Sequence, residues 1–283
     1  MSPRPAPRRG APSRATRPGD RRVPASGPRR SPPRERDGVG GDQVEGRHAV
    51  LELLRAKRRS VQRIFIAEAQ DASTTLDAIE FEAQRQRVLV QMVSMTRLDR
   101  EAKTEGHQGV MALAQPLDTV SLDELLKVKK PFLLVCDGVT DPRNLGAMLR
   151  SAEGAGVTGV VVPRHRSARI SPTVTKTAAG AIEYLTFCDV GGIPTAIDQL
   201  NKAGVLTVGL AGEVKESLYD LDLGAGPVAL VVGGEEKGLS ALTRKRCATV
   251  VSIPQLGRIS SLNAGVAVSV AAFEVARQRR SAK

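Results

Sequence analysis

Apolar and polar positions divide the chain into three stretches. Residues 1–40 hold almost no large apolar side chains. From residue 49 to 114, short apolar runs alternate with amphipathic ones. They predict a basic-ended helix over 49–59, a strand over Val61–Ala67, a helix over 74–87, and strands over 88–94 and 109–114. Residues 115–130 read as a polar connector with one short helical stretch, SLDELLKVKK, which ends at Pro131.

From residue 132 the runs FLLVCD, GVVVP, VLTVGL, VALVVGG and TVVSIP are nearly continuous in apolar residues, with helical stretches between them. Strands covered on both faces of a parallel sheet need that pattern, because neither side meets water. The expected class is therefore α/β, with a doubly wound second domain. A closing helix is expected over 262–280. Leu262, Val266, Val270 and Phe273 fall at helical spacing along it, and Arg277, Arg279 and Arg280 sit in its last turn, where the helix dipole favours cations.

The expected organisation is a disordered basic tail over 1–42, a small α/β unit over 43–116, a linker over 117–130 and a larger domain over 131–283. A chain of 283 residues with 41% hydrophobic content has room for two domains and a substantial core. With no Trp, two Tyr and five Phe, that core is aliphatic. So few aromatics argue against RNA readers built on rows of stacked bases.

The net charge is +12, and residues 1–40 supply most of it through eleven arginines against Asp20, Glu35 and Asp37. The same stretch holds nine of the seventeen prolines. It cannot bury enough surface to offset the entropy of ordering. It reads either as a solubilising extension or as a polycation that raises RNA affinity by counterion release. An organelle transit peptide is disfavoured because the prolines break the amphipathic helix such peptides use.

No apolar run reaches the length of a membrane span and no hydrophobic signal core is present, so a cytoplasmic protein is expected. Cys136, Cys188 and Cys247 are far apart and odd in number, which suggests neither a disulfide framework nor a zinc site. His48, His107 and His165 are isolated, so no metal is expected. His107 and the basic run Arg164, His165, Arg166 and Arg169 are candidates for RNA phosphates.

Gly154, Gly156 and Gly159 spell GxGxxG, the dinucleotide fingerprint. That fingerprint needs a strand before it and a helix after it, and here a helix ends where a strand begins. A helix stop and turn is the better reading, which also disfavours a nucleotide-dependent dehydrogenase.

Three segments carry the chemistry: 137–150 (DGVTDPRNLGAMLR), 231–240 (VVGGEEKGLS) and 253–263 (IPQLGRISSLN). Each runs from an apolar strand into a turn rich in Gly, Pro or Asn, the place where open α/β sheets hold ligands. In the first, Asp141 is a natural helix cap and Pro142 a natural first residue, with Asn144 in the first turn and Arg150 two turns in. A guanidinium fixed there can grip a phosphate bidentately. In the second, Gly233 and Gly234 let backbone approach a ligand. Glu235 reads either as a pocket carboxylate or as a solvated one. In the third, Ser261 or Ser260 reads either as a helix cap or as a site hydroxyl, beside Asn263.

In order and spacing the three segments resemble the motifs of the SpoU/TrmH family of RNA ribose 2′-O-methyltransferases, of the SPOUT class. The resemblance is densest over 131–280 and weaker over 44–116. It departs where relatives continue SLN with a Val-Ser pair and this chain has Ala264-Gly265-Val266. It implies a trefoil-knotted domain, a small RNA-binding domain before it, S-adenosylmethionine as methyl donor, and a homodimer that shares its pocket between subunits.

The cofactor is then expected against backbone near Gly233, Ile253 and Leu262. Arg150, Asn144, Glu235, Asn263 and Ser261 are the expected catalytic residues. Because a guanidinium is always protonated, Arg150 is assigned to hold phosphate and stabilise the developing alkoxide. Asn144 and Asn263 fix the hydroxyl and the loops, and Glu235 steers Arg150. A small domain before the knotted one is most like the bacterial members that methylate a guanosine of 23S rRNA, since tRNA enzymes typically lack it. A tRNA substrate, or a non-catalytic ribosome-assembly role on the same fold, is the alternative.

Overall fold

The computed structural model describes residues 39–68, 70–165, 170–259 and 261–281. The basic tail before residue 39, together with Arg166, Arg169 and Ser260, lies outside them.

The first sheet has the order β1-β4-β2-β3, from β1 (Gln43–Glu45), β2 (Val61–Ala67), β3 (Leu89–Val93) and β4 (Val110–Ala114). β4 runs antiparallel to both neighbours, while β2 and β3 are parallel. Helices α1 (Arg47–Ala56) and α2 (Thr74–Arg85) bury Val50, Leu53, Leu54 and Ile79 against Ile64. Helix α3 (Met95–Glu101) covers part of the other face, around Phe65 and Leu98.

Sequence patterning missed β1 and α3. Three residues are too few for a period, and α3 depends on its cap, Ser94, whose hydroxyl accepts from Arg97 N at 3.3 Å. Helix α1 also stops earlier than expected. Lys57 turns left-handed at φ 54°, which releases Arg58 and Arg59 from the helix.

After α4 (Leu122–Leu126), the second sheet has the order β10-β8-β9-β5-β6-β7 and is parallel throughout. Its strands are β5 (Phe132–Asp137), β6 (Gly159–Pro163), β7 (Phe187–Val190), β8 (Leu206–Leu210), β9 (Val228–Gly233) and β10 (Thr249–Val251). The apolar runs at β5 and β9 are buried along nearly all their length, as strands with two covered faces must be. Their register, from Phe132 opposite Val228 to Asp137 opposite Gly233, brings two of the motif turns side by side at the carboxyl edge.

Helices α5 (Pro142–Gly154), α6 (Pro172–Thr177) and α9 (Ala264–Ser281) cover one face, and α4 and α7 (Ile193–Lys202) the other. A short helix, α8 (Ala241–Arg246), joins β9 to β10. The GxGxxG glycines end α5, turn at Gly156 (φ 81°) and open β6, as a stop and turn would. Among the described residues no helix is long and apolar enough to cross a membrane.

Helix α9 corrects one expectation. Its buried side is Gly265, Val268, Ala271, Ala272 and Val275, while Leu262, Val266 and Phe273 are exposed. Close packing on α5 decided this. Small residues bring two helix backbones together, and the larger apolar side chains then have no room in the seam.

Candidate active site

The first motif is anchored at both ends of its turn. Asp141 accepts from Arg143 N at 2.9 Å and, with Pro142 next to it, starts α5. Asp137, the last residue of β5, accepts Ser240 N at 2.9 Å and so ties the far end of the second motif to the first.

The second motif needs its two glycines for space. A Cβ on Gly233 would stand 1.9 Å from the carbonyl carbon of Gly238, because the chain doubles back on itself. One on Gly234 would stand 2.5 Å from the Gly138 carbonyl oxygen. A side chain on Gly233 would force its own turn open, and one on Gly234 would push apart two turns that now touch.

Where β8, β9 and β10 end, their exit loops and the start of α9 enclose a cavity of about 550 Å³. This is the size range of small-molecule and cofactor sites. Gly233, Ile253 and Leu262, the expected cofactor contacts, all line it, as do Glu235, Ser261 and Asn263. Apolar walls come from Leu210, Val232 and Leu239 among others.

The β8 exit, Ala211 to Glu213, was not anticipated as part of the site. VLTVGLAGE does have the same strand-into-turn shape as the three motifs, and that was the available signal. Glu213 pairs with Arg244 across the cavity mouth. Its carboxyl is held below the usual range by a backbone N–H first and by Arg244 second.

A relay of side chains joins the three motifs. Asn263 Nδ2 donates to Asn144 Oδ1 at 2.9 Å, and Asn144 Nδ2 donates to Glu235 Oε1 at 2.9 Å. Glu235 is therefore engaged by Asn144 and not by Arg150. Asn263 Oδ1 also accepts from Gly265 N and Val266 N, which makes Asn263 the cap of α9 in place of Ser261.

Arg150 is not brought together with these groups. Its side chain is exposed on α5, is not among those lining the cavity, and makes no hydrogen bond or ion pair with any described residue. Next to it, Ser151 and Ser269 share a 2.7 Å hydrogen bond that pins α5 to α9. His107, by contrast, is buried. Its Nε2 meets Asp99 Oδ1 at 2.9 Å and its Nδ1 accepts Gly109 N at 3.1 Å, so both ring nitrogens are used inside the first unit. Arg164 is paired with Asp189 at 2.7 Å, and His165 is exposed.

The chain thus combines a parallel α/β domain, with a cavity at its carboxyl edge, and a small mixed-sheet domain before it. Two solved structures share this fold: the SpoU methyltransferase AviRb from Streptomyces viridochromogenes in complex with AdoMet and an AdoMet-bound rRNA methyltransferase from Sinorhizobium meliloti. The TM-scores are 0.70 and 0.69, at 23% and 21% identity, covering 84% and 83% of this chain and 90% and 87% of theirs.

Residues 131–273 match the SpoU rRNA Methylase family, and residues 43–120 match the RNA 2′-O ribose methyltransferase substrate-binding family. The 23S rRNA (guanosine-2′-O-)-methyltransferase RlmB of Pectobacterium atrosepticum is 40% identical over 240 residues, 83% of this chain and 98% of that one. Its counterpart in Escherichia coli K12 is 37% identical over 242 residues, 84% and 99%. The chain belongs to the SpoU rRNA methylase family.

Proposed function

We propose that this protein transfers a methyl group from S-adenosylmethionine to the ribose 2′-OH of a guanosine in 23S rRNA. The observation that carries the reading is one cavity lined by the second and third motifs, to which the first is tied by Asn144 through Asn263 and Glu235. Near-full-length similarity to relatives named for that reaction supports the substrate. A cytoplasmic location fits an rRNA substrate.

The residues present suit the donor. Leu210, Val232, Ile253 and Leu262 offer apolar walls to an adenine ring, Gly233 offers bare backbone, and Glu213 and Glu235 offer negative charge to a cationic ligand. When bound, S-adenosylmethionine supplies an electrophilic methyl, so the chain itself must align the ribose hydroxyl in line with it and manage the proton. Positioning of that kind supplies several kcal/mol of a barrier, on the order of 7–11 in the best cases.

In this reading Asn144 and Asn263 hold the loops, and Glu235 keeps the Asn144 amide oriented. Arg150 binds the RNA phosphate and stabilises the developing alkoxide with a charge it does not lose. Since Arg150 stands outside the cavity of its own chain, it serves the cavity of a second copy. The exposed apolar side chains of Val266 and Phe273 support such a homodimer: they lie beside Arg150's helix, with the Phe273 ring over Gly154. The unit over 43–116 grips RNA.

The test is transfer of labelled methyl to undermodified 23S rRNA and to tRNA, with wild type beside Arg150→Ala, followed by nuclease digestion and mass spectrometry. 2′-O-methylguanosine in rRNA that vanishes in the variant is the expected result. Label in tRNA moves the substrate. No label in either, with cofactor binding intact, leaves an assembly factor.

A further inference from the structure

At the joint between the two sheets one pair of charged groups is withdrawn from water. Arg59, freed from the end of α1, and Glu183, between α6 and β7, both have side chains with no exposure. Arg59 Nη1 donates to Glu183 Oε1 at 3.0 Å, Nε to the Gln115 carbonyl at 2.5 Å, and Nη2 to the Gly41 carbonyl at 2.6 Å. One guanidinium thus gathers the chain entering the first unit, the chain leaving it, and the second domain. Around it, Arg58 donates to the carbonyls of Glu183 and Leu185 at 3.2 and 2.7 Å, and the Tyr184 hydroxyl donates to Glu52 Oε2 at 2.6 Å.

Adhesion alone does not call for this arrangement. A buried ion pair returns much of its attraction as desolvation, and apolar groups of similar volume hold two surfaces together as well or better. Here the cost is visible: Glu183 Oε2 has no hydrogen-bond partner among the described residues. What the guanidinium adds is direction. Its planar fork meets acceptors from three separate segments in one mutual orientation only.

That orientation is passed to the site. Ala181 and Ile182, just before Glu183, are buried in the same core as Met148 and Leu149 of α5, the helix that carries Asn144 and Arg150. An RNA held by the first unit is therefore held at a fixed angle to α5.

We propose that Arg59 and Glu183 are positioning residues that determine which ribose is methylated, by locking the RNA-gripping unit at one angle to α5. This rests on the reading of function above. Replacing the lock with apolar side chains keeps the two surfaces together and removes the direction, which separates alignment from mere stability.

The test is Arg59→Met with Glu183→Leu beside wild type. The melting temperature and the affinity for S-adenosylmethionine are expected to stay near wild type. If the aligned orientation falls to about a tenth of the population, KM for rRNA rises about tenfold. Mass spectrometry would then find methyl on neighbouring riboses. Spin labels at Asp77→Cys on α2 and Lys202→Cys on α7, in a Cys247→Ser background with labelled chains diluted into unlabelled ones, are expected to give a broader distance distribution than in wild type.

An unchanged KM with a single methylated site, or an unchanged distance distribution, overturns the proposal. If the double variant does not fold, Arg59→Lys, which keeps the charge and loses the fork, gives the same three readouts. A wild type that methylates no RNA overturns the functional reading instead, and the label distances then decide the joint by themselves.

Discussion

Asn263 donates its side-chain amide to Asn144 at 2.9 Å, across 119 residues of chain, and that bond has only one polarity available to it. The oxygen of Asn263 is committed to the first N–H groups of α9, so its nitrogen must face Asn144. Asn144 accepts through its oxygen and so points its own nitrogen at Glu235. A helix cap on α9 thereby sets the direction of every bond as far as the carboxylate.

Asn263→Asp separates the two tasks of this residue. The carboxylate still caps α9, so the melting temperature should hold, while the donor to Asn144 is gone and turnover should fall about 10²-fold, as for a misplaced catalytic group. Asn263→Ala should lose the turnover and, in addition, about 1 kcal/mol of stability from the missing cap. Equal melting temperatures for the two variants in a thermal scan would exclude the capping role.

Gly233→Ala places a methyl where the Gly238 backbone already lies. The β9 exit must open, at a cost of about 1–3 kcal/mol typical of overpacking, and the cavity wall moves with it. Calorimetric titration should show S-adenosylmethionine binding weakened at least tenfold, the equivalent of about 1.4 kcal/mol. Binding at wild-type strength would mean that the turn does not shape the cofactor site.

Burial raises the Glu183 carboxyl above its ordinary range, and Arg59 pulls it only part of the way back. The folded chain therefore keeps that proton to a higher pH than the unfolded chain does. The stability this contributes is fully present below the unfolded pKa of about 4.3 and is lost as pH rises through the raised value. Glu183→Gln abolishes the loss, so its melting temperature relative to wild type should climb as pH rises above about 4. A difference that is flat across this window refutes the shift.

Burial pushes the thiol of Cys136 up to about 12 and that of Cys188 to about 11. Burial first and Asp137 second push Cys247, which is only half-buried, to about 11. At pH 8 all three stay protonated and are weak nucleophiles. A thiol-reactive chromophore should react slowly with the native protein, at Cys247 first, and rapidly with all three in denaturant. Fast labelling of Cys136 in the folded state is the outcome that contradicts its burial.

The sequence by itself determined the parallel sheet, the places where chain turns toward a ligand, and the residue types at each turn. Those features are local: a strand buried on both faces must be apolar throughout, a turn beside a ligand needs Gly, and a helix start needs a residue such as Asp141. It also marked Asn144, Glu235 and Asn263 without saying that they touch. Six residues of helix separate Asn144 from Arg150, and no spacing rule places Glu235 on Asn144 rather than on Arg150.

Only the tertiary structure decided those contacts, because the pairing of β5 with β9 and the packing of α5 on α9 bring together segments about a hundred residues apart. The same packing turned Val266 and Phe273 outward, since two helices in close contact select small residues whatever the hydrophobic pattern says. It also buried Arg59, which in sequence is one more charge at a basic helix end and in the fold has acceptors from three distant segments around it.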